Sequence, residues 1–157
     1  MTTSQNKVLV IGVAGLIGSH MAEHLVKKGY DVYGIDNFSG GYIENVPSGV
    51  SFHQGDLGNK EWLADIFSKF KPDYVYHFAA YAAEGLSPFI RNFNYTNNLV
   101  SSANVINECI KNEVKKIIFT SSMAVYGEGK PPFKETDTPH PIDPYGISKY
   151  AVELDLE

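Results

Sequence analysis

The chain has 157 residues and a net charge of −5, with 43% hydrophobic and 20% charged residues, which suffices for one globular domain with its own core. It contains no basic run, so a nucleic-acid partner is not expected, and no apolar stretch reaches the roughly 18 residues of a membrane span. The single cysteine, Cys109, cannot form an internal disulfide. This suits a reducing compartment, and we expect a cytoplasmic protein.

Short apolar runs and helical patterns alternate along the chain. The apolar runs predict strands at 7–11, 31–35, 50–54, 74–78 and 116–120. Apolar residues at helical spacing predict helices at 16–28, 62–70, 88–111 and 145–157. In the first helix, Ile17, Met21 and Leu25 form a ridge that we expect to be buried, and Gly29 ends the helix. The alternation predicts an α/β fold with a doubly wound parallel sheet, whose ligands bind at the carboxyl ends of the strands.

One long loop, residues 127–144, contains five prolines. Long ordered loops often form lids or binding surfaces. A stiff surface connector would have the same composition. The sequence leaves both interpretations open.

The stretch VLVIGVAGLIGSHMAEHL, residues 8–25, contains glycines at 12, 15 and 18 between a predicted strand and a predicted helix. In that context Gly12 permits a tight turn, Gly15 lets the backbone approach a pyrophosphate, and Gly18 lets the helix pack close to the strand. The helix N-terminus then offers free N–H groups to the phosphates. A turn that merely packs is the plainer alternative.

Two other interpretations of this stretch are weaker. Lys7 and the apolar run after it resemble a secretion signal, but no small-residue cleavage pattern follows. His20, Glu23 and His24 match a zinc-binding helix pattern. The two histidines lie opposite the apolar ridge, and no third ligand is evident, so we expect a solvated helix face and no metal.

Two acidic residues follow the second and third predicted strands. Asp36 lies where a carboxylate can accept both ribose hydroxyls of an adenosine and repel a 2′-phosphate, which favours NAD over NADP. Asp56 and Leu57 lie where an adenine edge could rest, although an ordinary turn explains them nearly as well.

Tyr145 and Lys149 are four residues apart on a predicted helix and therefore share a face. A nearby ammonium group stabilises a phenolate, so we expect Lys149 to lower the pKa of Tyr145. A tyrosine tuned in this way can take a proton from an alcohol while hydride leaves the same carbon. Ser122 ends the fifth strand, where its hydroxyl could orient the substrate oxygen.

With these residues in place, the sequence resembles the extended short-chain dehydrogenase/reductase superfamily, and within it the NAD-dependent nucleotide-sugar epimerases and dehydratases. The resemblance runs in order over the whole chain through GVAGLIGSH at 12–20, IDNFSGG at 35–41, GDL at 55–57, HFAA at 77–80, NN at 97–98, TSSMAVYG at 120–127 and PYGISK at 144–149. It implies a Rossmann-like NAD-binding domain over residues 1–157.

The resemblance also implies roles for individual residues. The expected cofactor contacts are Gly12, Gly15, Leu16, Ile17, Gly18, Asp36, Asn37, Phe38, Ser39, Gly40, Asp56, Leu57, Phe78, Ala79, Ala80, Tyr81, Asn97, Tyr145 and Lys149. The expected catalytic residues are Ser122, Tyr145 and Lys149, and the expected substrate contacts are Ser122, Met123, Ala124 and Tyr126. Lys149 would also bind the nicotinamide ribose.

Met123 and Ala124 stand where dehydratases of this superfamily carry an Asp-Glu pair that performs elimination. The resemblance therefore favours simple oxidation and re-reduction of a UDP-hexose at C4, as in UDP-hexose 4-epimerases. Chains of the superfamily are about twice as long, so we expect the final sheet strands and the substrate domain to be absent. An NAD-binding module without turnover, or another nucleotide-sugar oxidoreductase or dehydratase, remains an alternative. A homodimer through helices 88–111 and 145–157 is a further expectation.

Overall fold

The computed structural model describes residues 6–157 of the chain. Its strands are β1 (Lys7–Ile11), β2 (Asp31–Asp36), β3 (Ser51–Gln54), β4 (Tyr74–His77) and β5 (Lys116–Phe119). They form a five-stranded sheet in the order β3-β2-β1-β4-β5, and every neighbouring pair is parallel. The predicted parallel sheet and Rossmann-like α/β fold are confirmed, and each strand boundary agrees with the sequence prediction to within one residue.

The α-helices of the described residues are α1 (Leu16–Lys27), α2 (Lys60–Phe70), α3 (Arg91–Tyr95), α4 (Ser101–Lys111) and α5 (Pro144–Leu156). α2 begins two residues before its predicted start because the Asn59 side chain accepts a hydrogen bond from the Trp62 N–H at 3.1 Å and caps the first turn. Gly29 follows α1 with φ +84°, as expected for a helix stop.

The helical region predicted over 88–111 is not one regular helix. A 3-10 turn at Glu84–Phe89 contains Pro88, α3 begins only at Arg91, and a π-helical segment, Thr96–Val100, separates α3 from α4. Ile90, with φ −125° and ψ 36°, lies outside the helical region of backbone geometry and separates the 3-10 turn from α3. In the π-helical region, the hydroxyl of Ser101 donates to the Thr96 carbonyl five residues back, at 3.0 Å.

The sheet carries an apolar cluster on each of its faces. Leu9 and Ile11 of β1 belong to the cluster that includes α2 and α4, whereas Val8 and Val10 belong to the cluster that includes α1. Alternate residues of a strand point to opposite faces of the sheet. Because β1 is buried on both faces, its residues Val8 to Ile11 are all apolar. The helices on both faces make this sheet doubly wound.

The ridge predicted for α1 is partly wrong. Ile17 is 55% exposed and Met21 only half-buried, and the buried residues of the helix are Gly18, Ala22 and Leu25. The close approach at Gly18 explains the difference, because a Cβ there would overlap the Gly12 carbonyl oxygen. The residue of the first turn that faces the strand must therefore be the glycine, and Ile17 is turned towards solvent.

The chain divides into two compact units. The sheet unit comprises the described residues 6–80 and residues 104–120, and it contains the whole five-stranded sheet. The helical unit comprises residues 81–103 and 121–157. Within the helical unit, α5 packs against the Glu84–Phe89 turn, α3, the π-helical segment and a short 3-10 turn at Met123–Val125.

Candidate active site

The glycine turn after β1 has the geometry that its sequence predicts. Gly12 lies in the left-handed region at φ +84°, and a Cβ on it would come within 2.7 Å of the Ala79 backbone nitrogen. For Gly15 the nearest atom to an added Cβ is the Gly12 oxygen, at 3.4 Å. As the N-cap of α1, Gly15 offers no side chain to the N–H groups of the first turn. Those donors are the part of a helix that binds anions such as pyrophosphate.

Asp36 fixes two turns at once through its half-buried carboxylate. Oδ2 accepts a hydrogen bond from the Ala14 N–H at 2.9 Å, in the glycine turn. Oδ1 accepts one from the Phe38 N–H at 2.8 Å, in the turn after β2. Each carboxylate oxygen has a second lone pair, so ribose hydroxyls can still be bound.

The residues after β2 and β3 are joined by side-chain hydrogen bonds. Asn37 Nδ2 donates to Asp56 Oδ2 at 2.8 Å, and its Oδ1 accepts from the Ser39 N–H at 2.9 Å. Asp56 Oδ1 accepts from the Gly58 N–H at 2.7 Å. Leu57 is half-buried against the core of the sheet unit, and Gly40 is exposed. The sheet unit thus brings the two predicted adenosine segments together at the carboxyl ends of their strands.

Gly41 and Asn45 support the glycine turn, although neither is among the predicted cofactor contacts. Asn45 Nδ2 donates to the Ala14 carbonyl at 2.9 Å, and a Cβ on Gly41 would come within 2.5 Å of the Ala14 carbonyl carbon. A cleft of about 600 Å³ lies between the first turns of α1 and residues 40–48, and the exposed Leu16 is among its lining residues. In the sequence, only the second glycine of IDNFSGG, Gly41, points to this contact, and it does not indicate that Ala14 is the packing partner.

The predicted cofactor residues after β4 fall in both units. Phe78, Ala79 and Ala80 belong to the sheet unit and are half-buried. Tyr81 belongs to the helical unit, where its N–H donates to Asn98 Oδ1 at 2.7 Å and its carbonyl accepts from Asn98 Nδ2 at 3.1 Å. The neighbouring Asn97 instead donates to the Phe93 carbonyl of its own helical region, at 2.8 Å. Asn98, which is not among the predicted cofactor contacts, therefore holds this segment.

Ser122, Tyr145 and Lys149 lie together in the helical unit. Ser122 caps the Met123–Val125 turn by accepting a hydrogen bond from the Ala124 N–H at 3.2 Å, and its hydroxyl is close enough to Tyr145 to lower the pKa of that phenol. The Lys149 ammonium nitrogen lies 5.9 Å from the centroid of the Tyr145 ring. Tyr145 is 8% and Lys149 3% exposed. The predicted catalytic residues thus form one largely buried cluster.

Burial dominates the protonation of this cluster. It raises the pKa of Tyr145 above its ordinary 10, while the neighbouring Ser122 hydroxyl partly offsets the rise. It lowers the pKa of Lys149 from 10.5 to about 8. The expected lowering of the Tyr145 pKa by Lys149 is therefore wrong for this structure. Loss of hydration destabilises the phenolate more than the neighbouring groups stabilise it.

The predicted substrate contacts differ in exposure. Met123 is 72% exposed and Ala124 is buried. Tyr126 is half-buried and stacks on Phe133 of the proline-rich loop, with ring centroids 5.1 Å apart. Neither Met123 nor Ala124 can supply an acid or a base.

The histidines of α1 lie on its exposed side, as expected. His20 and His24 are both exposed. Within residues 6–157 no group of three or more potential ligands could hold a metal ion. In the same part of the chain, every helix is too short or too polar to cross a membrane.

A sequence profile of the NAD dependent epimerase/dehydratase family matches residues 8–157. The chain belongs to this family. It is 38% identical over 150 residues to a UDP-glucose 4-epimerase of Lacticaseibacillus casei, an alignment that covers 93% of this chain and 44% of that protein.

Solved structures of the family show the same fold. One is a UDP-glucose 4-epimerase of Thermotoga maritima with UDP-glucose, at 39% identity and a TM-score of 0.92, covering 96% of this chain and 50% of that one. Another is the Thermus thermophilus UDP-glucose 4-epimerase in complex with NAD, also at 39% identity and a TM-score of 0.92, covering 96% and 49%. The chain therefore spans about half the length of the family members that it matches.

Proposed function

We propose that this chain binds NAD through the glycine turn and the segments after β2, β3 and β4. The turn supplies uncapped N–H donors for the pyrophosphate. Asp36 supplies a carboxylate for the adenosine ribose and disfavours a 2′-phosphate. The NAD present in a solved relative supports the same assignment. The sequence-predicted contacts at Leu16 and Ile17 agree with their exposure, since a residue under a ligand is exposed when the chain is alone.

We further propose that the chain supports epimerisation of a UDP-hexose at C4 by transient oxidation. Tyr145 takes the proton of the 4-hydroxyl group, Ser122 orients the same oxygen, and Lys149 binds the nicotinamide ribose. Bound NAD would supply the acceptor for the C4 hydride and the donor that returns it to the opposite face of the keto sugar. Tyr145 would return the proton to the same oxygen, so no net oxidant is consumed. Because burial keeps the Tyr145 phenol protonated, its role as a base requires added positive charge. The oxidised nicotinamide carries such a charge.

The observation that carries this proposal is the buried cluster of Ser122, Tyr145 and Lys149. A buried tyrosine beside a serine hydroxyl and a lysine ammonium group is placed to exchange a proton with an alcohol. The neighbouring Met123 and Ala124 carry no acid, which favours oxidation and re-reduction over elimination. The UDP-glucose in a solved relative supports a UDP-sugar as the substrate class.

A second candidate function is NAD binding without turnover, which the glycine turn and the Asp36 carboxylate support without the catalytic cluster. The chain spans 44% to 47% of three curated UDP-glucose 4-epimerases. Turnover separates the two functions, since both require NAD to bind.

The test is a calorimetric titration with NAD, followed by incubation with UDP-glucose or UDP-galactose and NMR detection of their interconversion. We expect binding and interconversion in the wild-type chain. In Tyr145→Phe we expect NAD affinity within about twofold and turnover reduced by about 10²- to 10⁴-fold, since the phenol that exchanges the proton is lost. NAD binding without interconversion of the sugars would reject the epimerase function and support NAD binding without turnover. Absence of NAD binding would reject both functions.

We also propose a homodimer through helices 88–111 and 145–157. Exposed apolar side chains on these segments support it: Val100 (49% exposed), Ile110 (72%), Ile147 (39%) and Leu154 (52%). Sedimentation at several concentrations tests it, and a monomer throughout would refute it. The cytoplasmic location remains a prediction from cysteine content.

A further inference from the structure

The peptide group that joins Pro144 to Tyr145 is held by side chains at both of its polar atoms. Its carbonyl oxygen, on Pro144, accepts a hydrogen bond from Asn94 Nδ2 at 2.9 Å. Its N–H, on Tyr145, donates to Asp143 Oδ1 at 2.8 Å and to Ser87 Oγ at 3.2 Å. This peptide group is the one immediately before the candidate base.

Asp143 alone would satisfy the ordinary needs of a helix start. It is the N-cap of α5, and its Oδ1 also accepts from the Gly146 N–H at 3.0 Å. Ser87 and Asn94 are additional and come from distant parts of the chain. Ser87 is completely buried and Asn94 is 1% exposed. Burying polar side chains is costly unless they are hydrogen-bonded, so their presence here calls for a specific use.

Both residues are themselves fixed by further hydrogen bonds within the helical unit. The Ser87 hydroxyl lies 2.7 Å from the Glu84 carbonyl oxygen and 3.1 Å from Asp143 Oδ1, either of which can accept its proton. Asn94 Oδ1 accepts from Asn98 Nδ2 at 2.9 Å. A continuous polar chain therefore runs from the Tyr81 backbone through Asn98 and Asn94 to the Pro144 carbonyl.

We propose that Ser87 and Asn94 are positioning residues for Tyr145: they fix the plane of the Pro144–Tyr145 peptide group and thereby the direction of the tyrosine side chain. Rotation of this plane changes φ of Tyr145, and the long side chain converts a small rotation into a large displacement of its hydroxyl group. Catalytic geometry is sensitive to such displacements, since about 1 Å can cost about 10²-fold in rate. The assignment of Tyr145 as the base rests on the proposed function.

The test measures both the titration of Tyr145 and turnover in Asn94→Ala and Ser87→Ala. Tyrosines labelled with ¹³C at Cζ report their own ionisation, and Tyr145→Phe identifies the resonance of Tyr145 among the ten tyrosines. We expect each variant to raise the pKa of Tyr145 by about half a pH unit to one unit, because a misplaced phenol moves away from the Ser122 hydroxyl that lowers this pKa. We expect kcat to fall by about 10- to 100-fold, with KM changed by less than about twofold.

Two matched variants separate positioning from a general loss of stability. Asn92→Ala removes an exposed asparagine from α3, the same helix as Asn94. Ser101→Ala removes another buried serine hydroxyl that bonds a backbone carbonyl of the same unit. Both controls should leave the Tyr145 titration and kcat at wild-type values. If Asn94→Ala does not fold, Asn94→Asp serves instead, since it keeps the volume and the Oδ1 acceptor but replaces the donor to Pro144 with an oxygen.

Each outcome decides the proposal. Wild-type titration and kcat in both positioning variants, with only a lowered melting temperature, would overturn it. Equal effects in Ser101→Ala would also overturn it, since any buried serine would then suffice. If the wild-type chain proves inactive on UDP-sugars, the proposed function fails, but the Tyr145 titration still supports or rejects the positioning role.

Discussion

At the scale of single residues, the candidate site shows what sequence spacing can and cannot predict. The i, i+4 spacing of Tyr145 and Lys149 predicted their shared helix face, and a single helix decides that property. Their protonation depends on burial, which α5 acquires from four segments distant in sequence. The ammonium group alone predicts a lowered pKa for Tyr145, whereas burial in the folded chain raises it.

Asn97 and Asn98 illustrate the same limit. The pattern NN marks both residues, and the family resemblance pointed to Asn97. Asn98 shares a helical face with the buried Asn94 four residues earlier, is 2% exposed and binds the Tyr81 backbone. Nothing in the residue types distinguishes the two positions, because an amide at either could form these bonds.

Lys149 gives a prediction for the pH dependence of stability. Its pKa is about 8 when folded and about 10.5 when unfolded, so between these values the unfolded chain binds more protons. Stability contributed by this group therefore rises with pH across that window, by up to about 3 kcal/mol in total. Urea unfolding of the wild type and of Lys149→Met, from pH 7 to 9.5, measures the difference between their free energies of unfolding. We expect the wild type to gain on the variant as pH rises, and parallel curves would contradict the lowered pKa.

At the scale of elements, the packing of α5 depends on one glycine. A Cβ on Gly146 would lie 2.5 Å from the Ala124 carbonyl oxygen and 3.1 Å from Pro141 Cβ. Gly146 is thus the residue through which the helix bearing Tyr145 approaches the turn that begins at Ser122. The motif PYGISK contains this glycine, but only the structure shows which backbone atom it must avoid.

We expect Gly146→Ala to separate α5 from the Met123–Val125 turn. Alanine has the higher helix propensity, worth about 1 kcal/mol, yet the overlap with a backbone oxygen should leave a net loss of about 1–3 kcal/mol in the free energy of unfolding. Turnover should fall by about tenfold or more, since Ser122 and Tyr145 move apart. Chemical unfolding and the UDP-sugar assay measure these effects.

Gly85→Ala is the control for that variant. Gly85 also belongs to the helical unit, but a Cβ there would have no neighbour within 4 Å and its φ is not positive. We expect stability and turnover close to those of the wild type. A Gly146→Ala variant as stable and active as this control would show that α5 tolerates the extra methyl group.

At the scale of the whole molecule, the sheet was predictable and the helical unit was less so. Each strand is a short apolar run bounded by turn residues, and the residues of such a run are enough to predict a strand without knowledge of its partners. The segment from Glu84 to Val100 is specified by buried side-chain hydrogen bonds, such as Asn94 to Pro144, that join residues 50 positions apart. The spacing of apolar residues does not reveal such bonds. It therefore predicts one regular helix over residues 88–111, where the structure has 3-10, α-helical and π-helical segments.

Cofactor binding gives a prediction for the stability of the whole chain. A ligand that binds only the folded state at 100 times its Kd adds about 2.7 kcal/mol to the free energy of unfolding, which raises Tm by about 5–10 °C for a protein of this size. We expect this increase with NAD. With NADP at the same concentration we expect a much smaller one, because the Asp36 carboxylate would face the 2′-phosphate. Differential scanning fluorimetry measures both increments.

Asp36→Asn provides the control for this discrimination. The variant should melt at a lower temperature without ligand, because its side chain has one oxygen for the two N–H groups of Ala14 and Phe38. The comparison therefore uses the ligand-induced increments and not the absolute Tm values. With the negative charge removed, the increments for NAD and NADP should converge. Equal increments already in the wild type would mean that Asp36 serves only to join the two turns and does not select the cofactor.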